Sequence, residues 1–310
     1  THTMKLHDTQ ITNYLAFCKS QKCLDDKTIR AYKIDLTQFA STMPAETSLY
    51  DVTSRQIESY IAHLHSIYKP KTAKRKIASL KAFFHYCEFY EFIERNPFDK
   101  IQIRFREPVI LPKTIPLQTL ELFLSTIYNQ RQLATTSYQQ KNALRDAAVI
   151  ELLFATGIRI SELCSLKSCD VNLNDNFVLI YGKGSKERKL QIGNDNVLKT
   201  LNEYKNTFSK EIENCGHFFA NQSGKPLSDQ SVRRMIQKYA SLAGIDQHIT
   251  PHMFRHTFAS SLLDADVDIR YIQEMLGHSS ITTTQIYTHV TLAKQKMILT
   301  TKHPRNGFCI

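Results

Sequence analysis

The last third of the sequence holds a histidine and an arginine whose spacing suits work on a charged substrate. His252 and Arg255 are three residues apart and would share one face of a helix. Thr250 and Pro251 precede them and predict the start of that helix, with the threonine hydroxyl as its cap and the proline in its first turn. We therefore expect an imidazole and a guanidinium to project together from a helix that starts here.

A further histidine and a phenol follow downstream. Gly277 ends a stretch of helical periodicity over residues 268–276, and His278 comes directly after it. Tyr287 lies nine positions later, in another helix-like stretch. Hydrogen-bond donors, a cation and a phenol suit attack on a phosphodiester, and this region has no cluster of carboxylates that would hold a metal ion.

Two upstream motifs add cationic groups to this set. Arg159 stands in the segment ATGIRISEL, just after a helical stretch. Lys183 stands in YGKGSKER, between the short apolar segments 177–181 and 189–192, and this pattern is typical of a hairpin tip. The glycines around the lysine do not complete the GxxxxGK(S/T) pattern, so nucleotide binding is not expected.

In this order, the residues resemble the catalytic set of the tyrosine recombinases. The segments that carry the likeness are ATGIRISEL, GKGSKER, PHMFRHTFA and LGHSSITTTQIYTH, and they are most similar to the Xer-like branch. The likeness is dense over residues 113–292 and weaker before them. It implies a catalytic set composed of Arg159, Lys183, His252, Arg255, His278 and, as nucleophile, Tyr287.

The charges indicate how such a set would work. Attack by Tyr287 on phosphorus places extra negative charge on the two non-bridging oxygens, which the paired donors of Arg159 and Arg255 would match. His278 would add a further donor. A phenol is largely protonated at neutral pH, so the attack needs a proton acceptor, and His252 is the candidate.

The resemblance implies roles for other side chains as well. Lys183 corresponds to the general acid that protonates the leaving 5′ oxygen. Glu162 corresponds to a position that orients the active site, although a purely structural role fits it nearly as well. His256 follows Arg255 directly and is a second candidate for a supporting role.

The spacing of apolar residues predicts a mainly α-helical α+β fold. A small antiparallel sheet is expected over residues 177–192. Residues 129–141 are polar, lack periodicity and are predicted to form a loop. Helices are predicted at 26–40, 53–64, 69–90, 117–127, 145–156 and 228–243.

Together with the resemblance, this pattern predicts a two-domain DNA clamp. We expect a helical core-binding, SAM-like domain at 4–98, a basic linker punctuated by prolines at 99–115, and the catalytic tyrosine-recombinase domain at 116–290. Residues 291–310 resemble the family's C-terminal helix and tail, which implies contacts with a neighbouring protomer.

Basic side chains gather on one predicted helix near the N-terminus. From residue 69 to residue 81 there are six basic residues and no acidic one, in a chain with a net charge of +11. The run could be a solvated face, but its single sign favours phosphate contacts. The candidates for DNA contact are Lys71, Lys74, Arg75 and Lys81 here, Arg104 and Arg106 in the linker, and Arg233 and Arg234 downstream.

Composition sets further limits. The 310 residues suffice for two domains with separate cores, and no apolar segment approaches the length of a membrane span. Seven cysteines, an odd number spread along the chain, favour a reducing compartment. We expect a cytoplasmic, nucleoid-associated protein that needs no metal ion, nucleotide or other cofactor.

The function implied by the resemblance is site-specific DNA recombination through a 3′-phosphotyrosyl intermediate. The expected partners are double-stranded DNA with inverted core-type half-sites and three further protomers, either identical or from a paralogue. Xer-type dimer resolution and mobile-element integration both fit. Two alternatives remain: a type IB topoisomerase-like enzyme, which reseals the same strand, and a non-catalytic DNA-binding regulator with the same fold.

Overall fold

The computed structural model describes residues 6–44, 47–102, 113–182, 187–277 and 292–309. The chain divides into two compact units, Thr1–Ile110 and Leu111–Ile310. In the described residues, the secondary structure is mostly helical with a three-stranded antiparallel sheet, as the sequence predicts. No helix in these described ranges is both long and apolar enough to cross a membrane.

The first unit consists of helices with clear sequence-encoded starts. The Asp25 side chain accepts a hydrogen bond from the Thr28 amide at the start of the second helix. Thr53 and Gln56 form a capping box at the start of the third. The helices are α1 (Leu6–Ser20), α2 (Asp26–Thr42), α3 (Ser54–Ile67) and α4 (Pro70–Phe89). The three predicted helices of this unit are confirmed to within three residues at each end.

A buried carboxylate joins α2 to α4. Asp35 is fully buried, and it accepts hydrogen bonds from Lys76 Nζ at 3.0 Å, from Ser79 Oγ at 2.9 Å and from Arg75. Lys76 also donates to Gln38 Oε1 at 2.6 Å. Because a buried charge is tolerated only when it is paired and hydrogen-bonded, this network fixes how the two helices pack. Arg75, a predicted DNA contact, therefore also holds the unit together.

The second unit packs around one long buried helix. This helix, Ser137–Thr156, is buried from Ala143 onward apart from the half-buried Arg145. The helices of this unit are α5 (Leu117–Leu133), α6 (Ser137–Thr156), α7 (Ile160–Ser165), α8 (Asp195–Thr207), α9 (Ser209–Cys215), α10 (Asp229–Leu242), α11 (Pro251–Asp264), α12 (Ile269–Leu276) and α13 (Leu292–Lys302). The predicted helices at 145–156 and 228–243 are confirmed, although α6 begins eight residues earlier than predicted.

The predicted loop at 129–141 is wrong. Helix α5 continues to Leu133 and α6 starts at Ser137, so only residues 134–136 connect them. Thr136 and Gln139 form a capping box that starts α6, and its first turns face solvent. A solvent-facing turn needs no apolar periodicity, which is why the sequence pattern suggested a loop.

The antiparallel sheet forms as predicted, with one additional strand. Strands β1 (Val171–Asn172), β2 (Phe177–Tyr181) and β3 (Glu187–Gln191) pair in that order. The register of β2 and β3 places Val178 opposite Leu190 and Tyr181 opposite Glu187. Strand β1 has two residues, too few to produce an alternating pattern in the sequence.

The tail is built into the second unit of its own chain. On α13, Gln295 accepts from the Gln191 amide and donates to the Lys189 carbonyl at 3.2 Å, so the helix is fastened to β3. Beyond α13, Arg305 donates to both carboxylate oxygens of Glu151, and both side chains are buried. Contact of this tail with a neighbouring protomer stays a prediction.

The fully enclosed His303 makes stability depend on pH. Burial lowers the pKa of His303 to about 4, whereas a histidine in the unfolded chain titrates near about 6.5. Below the latter value the unfolded state binds more protons, so the free energy of unfolding should fall by up to about 3 kcal/mol between neutral pH and pH 4. Urea unfolding at several pH values, followed by circular dichroism because the chain has no tryptophan, measures this.

The variant His303→Gln is the control, because the other histidines titrate equally in both proteins. The stability difference between wild type and variant should shrink as the pH falls from about 6.5 towards 4. A difference that stays constant across this range would contradict the assignment.

Candidate active site

Helix α11 carries the predicted histidine and arginine in different environments. Arg255 is buried, with 6% of its surface exposed, whereas His252 is exposed to solvent. Pro251 lies in the first turn as predicted, but the Thr250 hydroxyl makes no capping hydrogen bond. The expected cap is wrong because the Met253 amide bonds to the Thr250 carbonyl instead, at 3.0 Å.

The buried Arg255 ties together the ends of two other helices. Its Nη1 donates to the Gly157 carbonyl at 2.9 Å, just beyond α6, and its Nη2 donates to the Leu276 carbonyl at 2.7 Å, at the end of α12. Helix C-termini leave carbonyls without partners in the helix, and this guanidinium satisfies one at each end. Burial and the nearby Arg159 charge lower the pKa of Arg255 to about 10, so it remains a cation at neutral pH.

Gly157 is required by both its backbone and its surroundings. Its φ of +62° lies in the left-handed region that favours glycine, and a Cβ here would lie 2.6 Å from Phe258 Cδ1 and 2.9 Å from Leu276 Cδ2. The glycine therefore lets α6 end closely against α11 and α12, where its carbonyl meets Arg255.

Arg159 stands at the start of α7 and is held by Glu162. The Arg159 amide donates to Glu162 Oε2 at 2.8 Å, and its Nη1 donates to Glu162 Oε1 at 2.9 Å. The Arg159 side chain keeps 37% of its surface exposed, while Glu162 keeps 6%. One face of this guanidinium thus stays open to solvent while a buried carboxylate fixes its direction.

A second arginine, Arg188 on β3, binds the same carboxylate. It donates to both oxygens of Glu162, at 3.0 Å and 2.7 Å. Burial alone would raise the pKa of Glu162, but the hydrogen bonds from Arg188 and the Arg159 amide, with the charges of both arginines, outweigh it and lower the pKa. Glu162 is therefore ionised at neutral pH. Sequence reasoning did not single out Arg188, since a basic residue on a short strand carries no sign of its partner.

The two histidines of α11 remain neutral near these cations. Partial burial lowers the pKa of His252, and the charge of Arg233 on α10 is the next cause, followed by His256 and the two arginines. Burial and the charge of Arg255 lower the pKa of His256. A neutral imidazole can accept a proton, which is the state that a general base requires.

The predicted DNA-contacting residues divide by exposure. Lys71, Lys74 and Lys81 are exposed on α4, and Arg75 next to them is bound to Asp35. On α10, Arg233 is half-buried beside His252 and Arg234 is exposed. The remaining predicted site residues lie outside the described residues: Lys183, His278 and Tyr287 of the catalytic set, and Arg104 and Arg106 of the linker.

Among the described side chains, no three histidines, cysteines, aspartates or glutamates lie close enough together to form a metal site. The charges grouped around Glu162 are guanidinium groups, namely Arg159, Arg188 and Arg255.

Comparison with known proteins identifies the family. Residues 127–294 match the phage integrase family, and residues 11–88 match the SAM-like N-terminal domain of phage integrases. A tyrosine recombinase of Agathobacter rectalis is 67% identical over 303 residues, covering 97% of this chain and 98% of the relative. The chain is a tyrosine recombinase of the phage integrase family. The tyrosine recombinase XerD of Listeria innocua is 34% identical over 302 residues, covering 95% and 98% of the two chains, so the Xer-like resemblance is confirmed.

Solved structures share the fold of this recombinase. A lambda integrase dimer bound to a COC′ core site aligns with a TM-score of 0.68 at 18% identity, covering 90% of this chain and 98% of the other. The XerH recombinase bound to its difH substrate aligns with a TM-score of 0.66 at 21% identity, covering 88% and 79%. The predicted two-domain α+β architecture is thereby confirmed.

Replacing Gly157 tests the packing that seats Arg255. The variant Gly157→Ala should lower the free energy of unfolding by about 1–2 kcal/mol for the left-handed backbone and by about 1–3 kcal/mol more for the clash with Phe258 and Leu276. Gly244→Ala is the matched control, since Gly244 has a φ of +67° but nothing within 4 Å of the added carbon. Urea denaturation of both variants measures the difference, and equal losses would contradict the packing argument.

Proposed function

We propose that this recombinase cuts one DNA strand with Tyr287, through a phosphate held by Arg159 and Arg255, and rejoins it to a partner strand. The observation that carries this proposal is the arrangement around Glu162. Arg159 is charged and partly exposed. Arg255 is buried and fixed by hydrogen bonds to two carbonyls, and the charges of Arg159 and Glu162 both act on it. Such preorganised cations stabilise the charge that develops on a phosphate during attack.

The two guanidinium groups have different parts in this proposal. Arg159 projects from the start of α7 with its open face towards solvent, which suits contact with a non-bridging oxygen. Arg255 is immobilised, so its charge requires no rearrangement as the transition state forms. His278 directly follows Gly277, and the Leu276 carbonyl that Arg255 binds lies two residues before it.

The proton transfers follow from the groups available. The Tyr287 oxygen bonds to phosphorus, its proton passes to His252, and the bond from phosphorus to the 5′ oxygen breaks. Lys183 gives the departing 5′ oxygen a proton. The lowered pKa of His252 supports its part as acceptor, because the imidazole is neutral when the reaction starts. Glu162 and His256 help to position the catalytic residues and do not contact the phosphate.

The energy of the cut bond is kept in the phosphotyrosyl bond. One phosphodiester is exchanged for another, so the reverse attack by a 5′ hydroxyl reseals the strand without ATP. The arginines supply the positive charge that a metal ion supplies in other phosphoryl-transfer enzymes. We therefore propose a reaction that is independent of both metal and nucleotide.

The substrate we propose is a pair of duplex core sites with inverted half-sites, bound by four protomers, identical or including a paralogue. The lambda integrase tetramer on a Holliday junction, which shares the fold with a TM-score of 0.68, supports this assembly by analogy. The full-length similarity to XerD proteins favours Xer-type strand exchange over topoisomerase-like resealing. A cytoplasmic, nucleoid-associated location is also proposed, and the odd number of cysteines, seven in the chain, supports it.

A nicked suicide duplex tests the nucleophile. With a core site selected from random duplexes, wild-type protein treated with a chelator should form a covalent adduct, and Tyr287→Phe should form none. Tyr271→Phe removes a tyrosine hydroxyl from α12 and should keep the adduct. Denaturing gels measure the adduct, and strand exchange between two intact duplexes separates recombination from topoisomerase-like resealing. An adduct in Tyr287→Phe would overturn the proposal.

Salt dependence of binding tests the basic face of α4. The triple variant Lys71→Gln, Lys74→Gln, Lys81→Gln should weaken DNA binding and flatten the plot of log affinity against log salt by about 0.9 for each phosphate that the protein no longer neutralises. Arg75 is left in place because its loss would remove one of the partners of the buried Asp35. Lys199→Gln, an exposed lysine on α8, is the control and should leave the slope unchanged. An unchanged slope in the triple variant would make this face a solvated surface.

A further inference from the structure

We propose that Arg188 is a positioning residue that keeps Arg159 available to the phosphate and holds the chain that leads into His278. The proposal rests on the function proposed above and extends it to a side chain that would not touch DNA. Arg188 is the one arginine on the three described strands and is largely buried, with 11% of its side-chain surface exposed, and the hydrogen bonds of its side chain go to Glu162 and Met275 of the candidate site.

The contact between Arg188 and Glu162 determines how much of the positive charge of Arg159 remains available to the phosphate. Glu162 lies between the two arginines, and Arg188 binds both of its oxygens while the Arg159 side chain donates from Nη1 to one. Two cations therefore share one buried negative charge. Without Arg188, the carboxylate would be paired with Arg159 alone, and Arg159 would be drawn towards Glu162 and neutralised by it.

The second contact fixes the end of α12. Arg188 Nε donates to the Met275 carbonyl at 2.9 Å, and Arg255 binds the next carbonyl, that of Leu276. Two guanidinium groups thus secure consecutive carbonyls at a helix end where the helix itself provides no donors. Gly277 follows with a φ of +63°, and a Cβ on it would lie 3.0 Å from Arg188 Nη1. The glycine both turns the chain and leaves room for Arg188.

The third connection runs through the strand that carries Arg188. Arg188 pairs with Ile180 in the register of β2 and β3, and Lys183 lies five residues before it in the connection between these strands. Arg188 therefore lies on the strand that follows Lys183, and its side chain binds both the carboxylate that holds Arg159 and the carbonyl of Met275, two residues before Gly277. A change in its position would shift three elements of the catalytic set together.

The test compares Arg188→Met with Lys189→Met. Both variants remove one positive charge from β3. The Lys189 amine, however, lies 3.6 Å from the centroid of the Phe177 ring, whereas Arg188 binds the Glu162 carboxylate. On the suicide duplex, Arg188→Met should form the covalent adduct about 10- to 100-fold more slowly, by analogy with the loss when groups that orient metal ligands are removed. Lys189→Met should react at the wild-type rate. Thermal melting of each variant reports whether it is folded.

A substrate change separates positioning from general structural damage. A methylphosphonate at the cut site replaces one non-bridging oxygen with a methyl group and removes the negative charge that Arg159 would meet. The defect of Arg188→Met should then shrink to a few-fold, whereas a merely structural defect slows both substrates equally. Adding Glu162→Gln to Arg188→Met removes the carboxylate that would otherwise neutralise Arg159, and should speed adduct formation on the ordinary phosphate relative to Arg188→Met alone.

Each outcome decides one of the two proposals. No adduct with wild-type protein overturns the proposed function itself. A wild-type adduct together with an unimpaired Arg188→Met, or with equal loss on both substrates, overturns only the role of Arg188. If Arg188→Met melts below the assay temperature, Arg188→Lys replaces it. That variant keeps the charge but loses the two-pronged contact, so it should show a smaller defect with the same dependence on substrate.

Discussion

The candidate site holds the positive charges of Arg159, Arg188 and Arg255 close together, so the surrounding structure has to offset their mutual repulsion. The second unit does so with one buried carboxylate and three backbone carbonyls. Glu162 binds Arg159 and Arg188, while the carbonyl of Met275 accepts a hydrogen bond from Arg188 and the carbonyls of Gly157 and Leu276 accept from Arg255. The carbonyls come from the ends of α6 and α12, where helices leave acceptors unused. The cations are thereby immobilised without being neutralised one by one.

The first unit solves a related problem by the same means. Helix α4 exposes lysines to solvent on one face and packs against α2 with the other. Asp35 of α2 fixes this packing by accepting hydrogen bonds from Lys76 and Ser79 of α4. In both units, a buried acid organises neighbouring bases and leaves others exposed to solvent.

Sequence patterns predicted those parts of the structure that depend on local chemistry. The starts of α2 and α3 follow from Asp25 and Thr53, and the end of α12 follows from Gly277. Two local features were nevertheless predicted wrongly. The solvent-facing first turns of α6 lack an apolar repeat, so they resembled a loop. The Thr250 hydroxyl was expected to cap α11, but a backbone carbonyl took that donor.

In the candidate site, contacts between residues far apart in the sequence could not be predicted. Arg159, Glu162, His252 and Arg255 could be named from motifs, because each motif lies within one segment. The contact between Arg188 and Glu162 joins residues 26 positions apart, and nothing in either segment specifies the other. Only packing of β3 against α7 and α12 brings them together. Roles that depend on a shared partner are therefore the ones that a single sequence conceals.

The pairing of Arg305 with Glu151 has a consequence for the order of folding. Glu151 lies in the C-terminal half of α6, and its partner is synthesised 154 residues later. Until Arg305 is synthesised, the Glu151 carboxylate lacks its cationic partner, and a buried charge without such a partner opposes tight packing of the core. Domains generally fold as units during synthesis, so we expect the first unit to fold first and the second to complete its packing only when its tail is available. The N-terminal unit of a nascent chain should thus be packed before the unit that carries Arg159 and Arg255 is complete.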